Sequence, residues 1–278
     1  MKTCYLEKMD KPKLLIRKYK IQQDDFKIYA DLSKDKNVTK IVKALIKNDI
    51  ENVVLSKEII ENKNLINALN AKGIRVFNGR WLERYLTFEI LEYIITKIGL
   101  IKEETEIAIT TNEITDLCME TIKILAKQYK RLTVVTNHIE KLKRLEKELY
   151  DKDGVLIVVS NNIKKSLARP KIILNLDFNR QMLNKYKINE NAIILNIEGD
   201  MKINSKRFAG INVNDYEIGI GREDIIWREN MKEFKTKDLV EATLYIKDTF
   251  KNIRKKISKN KIFIKELFGE NGKIERFS

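Results

Sequence analysis

The sequence predicts an α/β protein built from two α/β units, of which the second contains a parallel sheet, followed by C-terminal helices. Two observations carry this prediction. Short apolar runs of strand length alternate with longer amphipathic patterns, which is typical of parallel strands joined by crossover helices. The chain of 278 residues is 43% hydrophobic and has only 2 prolines and 10 glycines, which indicates a globular protein. We expect an N-terminal domain with a bridging helix over 1–99, the sheet domain over 100–228 and a basic helical segment over 229–278.

Four strands and three helices are predicted in the N-terminal unit. The strands are 13–21, 26–32, 52–56 and 74–77. The second of these alternates apolar and polar residues, which fits a half-buried edge strand. Helices are predicted over 36–49 and 57–72, the latter capped by Ser56 and ended by the glycine at position 73. A pattern over 81–98 is apolar on more than one face, which predicts a buried helix.

The central unit, from residue 106 to 218, provides the predicted ligand crevice. Its strands are 107–110, 133–136, 155–159, 171–177, 192–197 and 210–218, with helices after the first two. The carboxyl ends of parallel strands meet at one edge of a sheet, where α/β proteins bind ligands. Polar residues follow the first three strands, and they form the predicted cofactor site: Thr110, Thr111, Asn112, Asn137, His138, Ser160 and Asn161.

Two further residues are predicted to bind a small-molecule substrate. Arg80 follows the last strand of the first unit, and its guanidinium offers two parallel donors to a carboxylate or phosphate. The alternative is an exposed residue at a helix start. Asp177 ends a strand of the central unit and could serve as a site carboxylate, or as a cap or turn residue.

The net charge of +15 raises the possibility of a nucleic-acid partner. Residues 228–278 hold 14 Lys and Arg against 8 Asp and Glu. The candidate phosphate contacts in this segment are Arg254, Lys255, Lys256, Lys259 and Lys261. The alternative is the solvated face of an amphipathic helix. Two cysteines and one histidine predict a cytoplasmic protein with neither a disulfide framework nor a metal site, and no apolar run is long enough to span a membrane.

The order of strands and helices over 106–218 resembles the NAD(P)-binding Rossmann domain of the shikimate dehydrogenase and glutamyl-tRNA reductase group. The resemblance covers about 110 of the 278 residues. It implies a Rossmann-like sheet and a dinucleotide at the strand ends. NADP-dependent members often carry Asn-Arg-Thr after the second strand, where this chain has Asn137 and His138. The glycine fingerprint after the first strand is missing, because residues 110–115 contain no glycine.

The sequence therefore favours a divergent relative in which dinucleotide binding is lost or altered. Glu113 supports this reading, since its negative charge would repel a pyrophosphate. An active NADP-dependent oxidoreductase and a nucleic-acid-binding or regulatory protein are the alternatives, and a scaffold without a small ligand is a third. The glycines of residues 219–222 resemble a phosphate-binding turn but lack the third glycine and a following helix. The oligomeric state stays open.

Overall fold

The computed structural model describes residues 2–8, 16–20, 26–32, 34–197, 199, 201, 203, 208–221, 231–245 and 248–277. The chain is an α/β protein with two sheets of mainly parallel strands, as predicted. It divides into two compact units. Unit 1 comprises Met1–Glu83, Ile220–Thr249 and Lys255–Lys261, and unit 2 comprises Arg84–Gly219, Phe250–Arg254 and Ile262–Ser278. The predicted boundaries after residues 99 and 228 therefore differ from the divisions after Glu83 and Gly219.

Unit 1 contains a five-stranded sheet. Its first elements are β1 (Thr3–Lys8), β2 (Ile16–Lys20), β3 (Phe26–Ala30), α1 (Asp35–Lys47), β4 (Asn52–Leu55), α2 (Lys63–Asn70) and β5 (Arg75–Phe77). The strand order is β2-β3-β1-β4-β5, and only β2 is antiparallel to its neighbour. The prediction that residues 26–32 form an edge strand is wrong, because β3 lies between β2 and β1. β1, at the centre of the sheet, was not predicted. The first predicted strand, 13–21, contains β2, and its residues 13–15 and 21 lie outside the described residues.

The second helix of unit 1 begins later than its sequence pattern predicts. The prediction that Ser56 caps a helix over 57–72 is wrong: α2 starts at Lys63, and the side chain of Asn62 accepts a hydrogen bond from Leu65 N at 3.0 Å. Gly73 has φ +70°, which confirms the left-handed residue predicted at its end. The long helix α3 runs from Arg80 to Ile98, as predicted.

Unit 2 contains a six-stranded sheet with the Rossmann strand order. Its elements are β6 (Glu106–Thr110), α4 (Asp116–Gln128), β7 (Arg131–Val135), α5 (Ile139–Asp153), β8 (Ile157–Ser160), β9 (Ile172–Asn175), α6 (Arg180–Leu183), β10 (Ile193–Asn196) and β11 (Ile211–Val213). The order β11-β10-β9-β6-β7-β8 is parallel throughout, and the direction of winding reverses between β6 and β9. Ligands of doubly wound sheets bind at this switch point.

The C-terminal part contains the predicted helices and an unpredicted hairpin. Its elements are β12 (Asp215–Ile220), α7 (Thr236–Leu244), α8 (Phe250–Lys259), β13 (Ile262–Gly269) and β14 (Gly272–Lys273). The predicted single strand over 210–218 is wrong, since β11 and β12 belong to different sheets. Gly219 is a packing residue, because a Cβ there would lie 2.2 Å from the ring of Phe263. The need for close packing at this strand position explains Gly219, one of the glycines that resembled a phosphate-binding turn in the sequence.

Candidate functional site

The ends of the central strands in unit 2 carry a buried row of asparagines. The Thr110 hydroxyl donates to Asn175 Oδ1 at 2.6 Å, and Asn175 Nδ2 donates to Asn196 Oδ1 at 3.1 Å. Asn196 Nδ2 then donates to Asn214 Oδ1 at 2.9 Å. All four side chains are buried, and three hydrogen bonds link them from β6 through β9 and β10 to Asn214, which follows β11. The row compensates the burial of the amides and ties β6, β9 and β10 together at the switch point.

Asp177 reaches from the end of β9 into the turn that follows β6. Its carboxylate accepts hydrogen bonds from the Thr111 hydroxyl at 3.0 Å, from Asn112 N at 2.8 Å and from Glu113 N at 2.5 Å. Successive backbone N–H groups of this kind form an anion-binding nest. In a Rossmann dinucleotide site, the turn after the first strand holds the pyrophosphate. Here a carboxylate of the chain itself occupies the donors.

The first turn of α4 is capped and carries an unreactive thiol. The Thr115 side chain accepts from Cys118 N at 3.2 Å, which fixes the helix start directly after the nest. The thiol of Cys118 is buried and lies 3.5 Å from the Thr111 hydroxyl. Burial raises the pKa of Cys118 to about 11, so the thiol is neutral near pH 7 and is a poor nucleophile.

The end of β7 is bonded to the same turn through its backbone. Asn112 Oδ1 accepts from Asn137 N at 2.9 Å, and the Thr136 hydroxyl accepts from His138 N at 3.0 Å. The side chains of Asn137 and His138 are exposed at the start of α5. The predicted residues Thr111, Asn112, Asn137 and Asp177 therefore form one hydrogen-bonded cluster, with His138 beside it.

The end of β8 belongs to a separate loop. Ser160 Oγ lies 2.8 Å from Ser166 Oγ and accepts from Asn162 N at 3.1 Å, while Asn161 is exposed. These contacts tie Ser160 to its own connection to β9. The structure thus places five of the seven predicted cofactor residues at the ends of β6 and β7: Thr110, Thr111, Asn112, Asn137 and His138. Ser160 is linked to a different set of partners.

A cleft lies beside the Asp177 nest. Its cavity volume is about 40 Å³, and the residues that line it include Asp177, Glu113, Arg84 and Ile197. This volume is far below the roughly 300 to 1,000 Å³ of small-molecule pockets. Within the described ranges, no cluster of three or more His, Cys, Asp or Glu residues could hold a metal ion. No helix in the described part of the chain is long and apolar enough to cross a membrane.

Unit 1 contains a second backbone nest that is filled by a carboxylate. Glu241 of α7 is buried, and it accepts from the backbone N–H groups of Asn78 at 2.9 Å, Gly79, and Trp81 at 2.8 Å. Burial raises the pKa of Glu241, although these N–H donors oppose the shift. Arg80, the predicted anion receptor in this turn, pairs with Glu83 at 2.8 Å. The carboxylate at this strand end is thus supplied by the chain itself.

The candidate phosphate contacts of the basic segment have different environments. The Arg254 guanidinium donates to Glu89 at 2.6 Å and lies 4.8 Å from the ring of Phe88, so it is engaged within unit 2. Lys256 pairs with Asp248 at 3.3 Å. The remaining three predicted side chains are exposed: Lys255, Lys259 and Lys261.

Sequence reasoning missed two parts of the site. The asparagine row was marked by a repeated tetrapeptide, Ile-Ile-Leu-Asn, at 172–175 and 193–196, which places an amide at equivalent ends of neighbouring strands. Glu241 was marked only by its position on the apolar stripe of a helix, between Val240 and Leu244.

No family model matches the sequence, and no curated protein matches it. Solved structures with similarity include L-tryptophan dehydrogenase from Nostoc punctiforme, at 8% identity over 69% of this chain and 62% of that one, with a TM-score of 0.31. The NAD-dependent malic enzyme from Thermotoga maritima is 12% identical over 70% and 59%, with a TM-score of 0.32. A shikimate 5-dehydrogenase-like protein is 11% identical over 70% and 76%, with a TM-score of 0.25. The chain spans less than two thirds of the length of the first two. Its Rossmann-like fold is assigned from its own strand order.

Proposed function

We propose that this chain is a divergent Rossmann-like protein of dehydrogenase-like layout that no longer binds a dinucleotide at its switch point. The observation that carries the proposal is the Asp177 carboxylate on the Asn112 and Glu113 N–H groups. A pyrophosphate in the usual position would compete with this carboxylate for the same donors.

Charge adds to this competition. Asp177 and Glu113 bring two carboxylates to the place of the pyrophosphate. Both carboxylates repel phosphate groups, the exposed Glu113 more weakly because solvent screens its charge. A dinucleotide would have to overcome this repulsion and displace Asp177 without the glycines that allow close approach to the turn.

The experiment is a calorimetric and thermal-shift titration with NAD(H), NADP(H) and inorganic pyrophosphate. The wild type is expected to show no saturable binding at about 1 mM ligand. Binding would be readily detected, because a ligand at about 100 times its dissociation constant stabilises the folded protein by about 2.7 kcal/mol. Asp177→Ala frees the nest and is expected to gain pyrophosphate binding. Asp116→Ala is the matched control, because it removes a nearby exposed carboxylate that does not accept from the nest donors.

The alternative of an NADP-dependent oxidoreductase is favoured by one observation, the exposed Asn137 and His138 side chains at the end of β7. A 2′-phosphate could contact both. Saturable NADP(H) binding to the wild type that weakens in His138→Ala would overturn the proposed loss of dinucleotide binding and support this alternative.

A nucleic-acid partner is favoured by the exposure of Lys255, Lys259 and Lys261. Fluorescence anisotropy with a labelled duplex across a salt series tests it. Replacing the three lysines by glutamine is expected to reduce the salt slope by about 3, since each phosphate contact contributes about 0.9. A matched triple replacement on α1, at 36, 40 and 43, removes the same charge from other exposed positions. Equal effects of the two triples, or binding without a salt slope, would contradict this function.

A further inference from the structure

The strand β8 leaves an apolar edge uncovered in unit 2. In the described part of the sheet, β8 pairs only with β7. Leu156 is 66% exposed and Val158 is 58% exposed, and Tyr150 and Ile163 lie nearby in sequence with large exposed surfaces. The connection after β8 consists of turns over 163–168 where a crossover helix would cover this face. A bare edge strand of apolar residues is a template for pairing with another strand.

The free hydrogen-bonding groups of this edge can be identified. Thr136 N donates to Ser160 O at 3.1 Å, and Val135 is in register with Ser160. Because backbone groups alternate in direction along a strand, Val158 and Ser160 bond towards β7. Ile157 and Val159 therefore direct their N–H and C=O groups outwards. β8 contains neither a proline nor a charged residue that would discourage pairing.

We propose that a second copy of this chain pairs with β8 in the antiparallel direction, about a twofold axis at Val158. Ile157 of each copy then exchanges both of its hydrogen bonds with Val159 of the other. Val158 faces Val158 of the second copy as a non-hydrogen-bonded pair, the closer type of cross-strand pair. The interface is isologous, so it closes at two copies.

The flank of α5 that points towards this edge follows from its contacts with α4. The pKa of Glu148 is lowered by Lys152 and also by Lys123 of α4, and Glu148 and Lys152 lie one turn apart on the same flank. That flank of α5 therefore faces α4. Since α5 packs beside β8, the opposite flank faces the free edge; it holds Lys143, Glu146, Lys147 and Tyr150.

The charges on this flank complement themselves about the same axis. Residues 146 and 147 lie about 10 Å above the end of α5 at 1.5 Å per residue, close to the height of Val158 on the strand that returns beside it. An antiparallel pair of α5 helices then places Glu146 beside Lys147 of the second copy, and the reverse. The helix pair adds the area that a strand of four residues lacks for a stable dimer.

Sedimentation of the full chain over a concentration series tests this dimer. The wild type is expected to reach twice the mass of one 32.7 kDa chain at tens of micromolar. Val158→Lys is expected to weaken the dimer at least tenfold. Ile101→Lys is the matched control because Ile101 has the same exposed fraction, 58%. A wild type that stays monomeric at several hundred micromolar, a dimer unchanged by Val158→Lys, or an assembly larger than two would overturn the proposal.

Two further measurements test the geometry without relying on the Val158→Lys variant. Glu146→Lys and Lys147→Glu are each expected to weaken the homodimer several-fold, and mixing the two variants is expected to restore association. Val158→Cys is expected to form a disulfide-linked dimer under mild oxidation, since opposed residues of such a pair lie within bonding range. The native Cys4 and Cys118 are buried. Failure of both the mixing and the cross-link would refute the antiparallel arrangement.

Discussion

Replacing Asn175 by leucine tests whether the asparagine row holds the switch point together. Asn175 Oδ1 accepts from the Thr110 hydroxyl and from Phe178 N, and its Nδ2 donates to Phe178 O and Asn196 Oδ1. Leucine has a similar size but makes none of these bonds. Four polar groups therefore lose a hydrogen-bond partner together: the Thr110 hydroxyl, the N–H and C=O of Phe178, and Asn196 Oδ1.

The expected loss of unfolding free energy is about 4 kcal/mol. Each buried group left without a partner costs about 1–3 kcal/mol, and burial of the leucine side chain returns about 2 kcal/mol. For a chain of this length the melting temperature should fall by roughly 8–12 °C. Urea denaturation followed by circular dichroism measures the loss. Hydrogen exchange of the β9 and β10 amides then localises it to unit 2, since two units need not unfold together.

Two controls make the result specific. Asn191→Leu changes an exposed asparagine and is expected to stay within about 0.5 kcal/mol of the wild type. The double variant of Asn175 and Asn196 should cost about 1 kcal/mol less than the sum of its single leucine variants, because both remove the same shared bond. An Asn175→Leu protein within 1 kcal/mol of the wild type would refute the role of the row.

Three other predictions follow from the described contacts. The thiol of Cys118, with its pKa raised to about 11 by burial, is expected to resist iodoacetamide at pH 8 until the protein is denatured, and rapid labelling of native protein by mass spectrometry would contradict this. Burial raises the pKa of Glu241 above 4.5, so its stabilising contribution is full below pH 4.5 and is lost as the pH rises through the folded pKa. The difference in unfolding free energy between wild type and Glu241→Gln should therefore shrink as the pH rises from 4.5 through the folded pKa. A constant difference in denaturation experiments would argue against this prediction. Arg254→Ala is expected to cost about 1–3 kcal/mol in thermal unfolding through loss of the half-buried Glu89 pair, whereas the exposed Lys251→Ala should cost under 0.5 kcal/mol, and equal effects would rule out a specific contact.

The alternation of local patterns predicted most of the central sheet. The apolar runs at 107–110 and 133–136 overlap β6 and β7, and the pattern at 139–150 lies within α5. These elements are recognisable because burial imposes a period on neighbouring residues, which one segment of sequence displays by itself. The strand-end polar residues followed from the same periods, because parallel strands end at a common edge.

The partners of the polar side chains were decided by the tertiary structure. Asp177 meets Asn112 across 65 residues of chain, and Glu241 meets Asn78 across 163. The sequence alone left Asp177 and Arg80 each with two readings, as ligand contacts or as local structural residues. Which carboxylate fills which nest depends on strand order and on the return of a distant helix. Local periodicity carries no information about either, because it records only whether a residue is buried and not what it lies against.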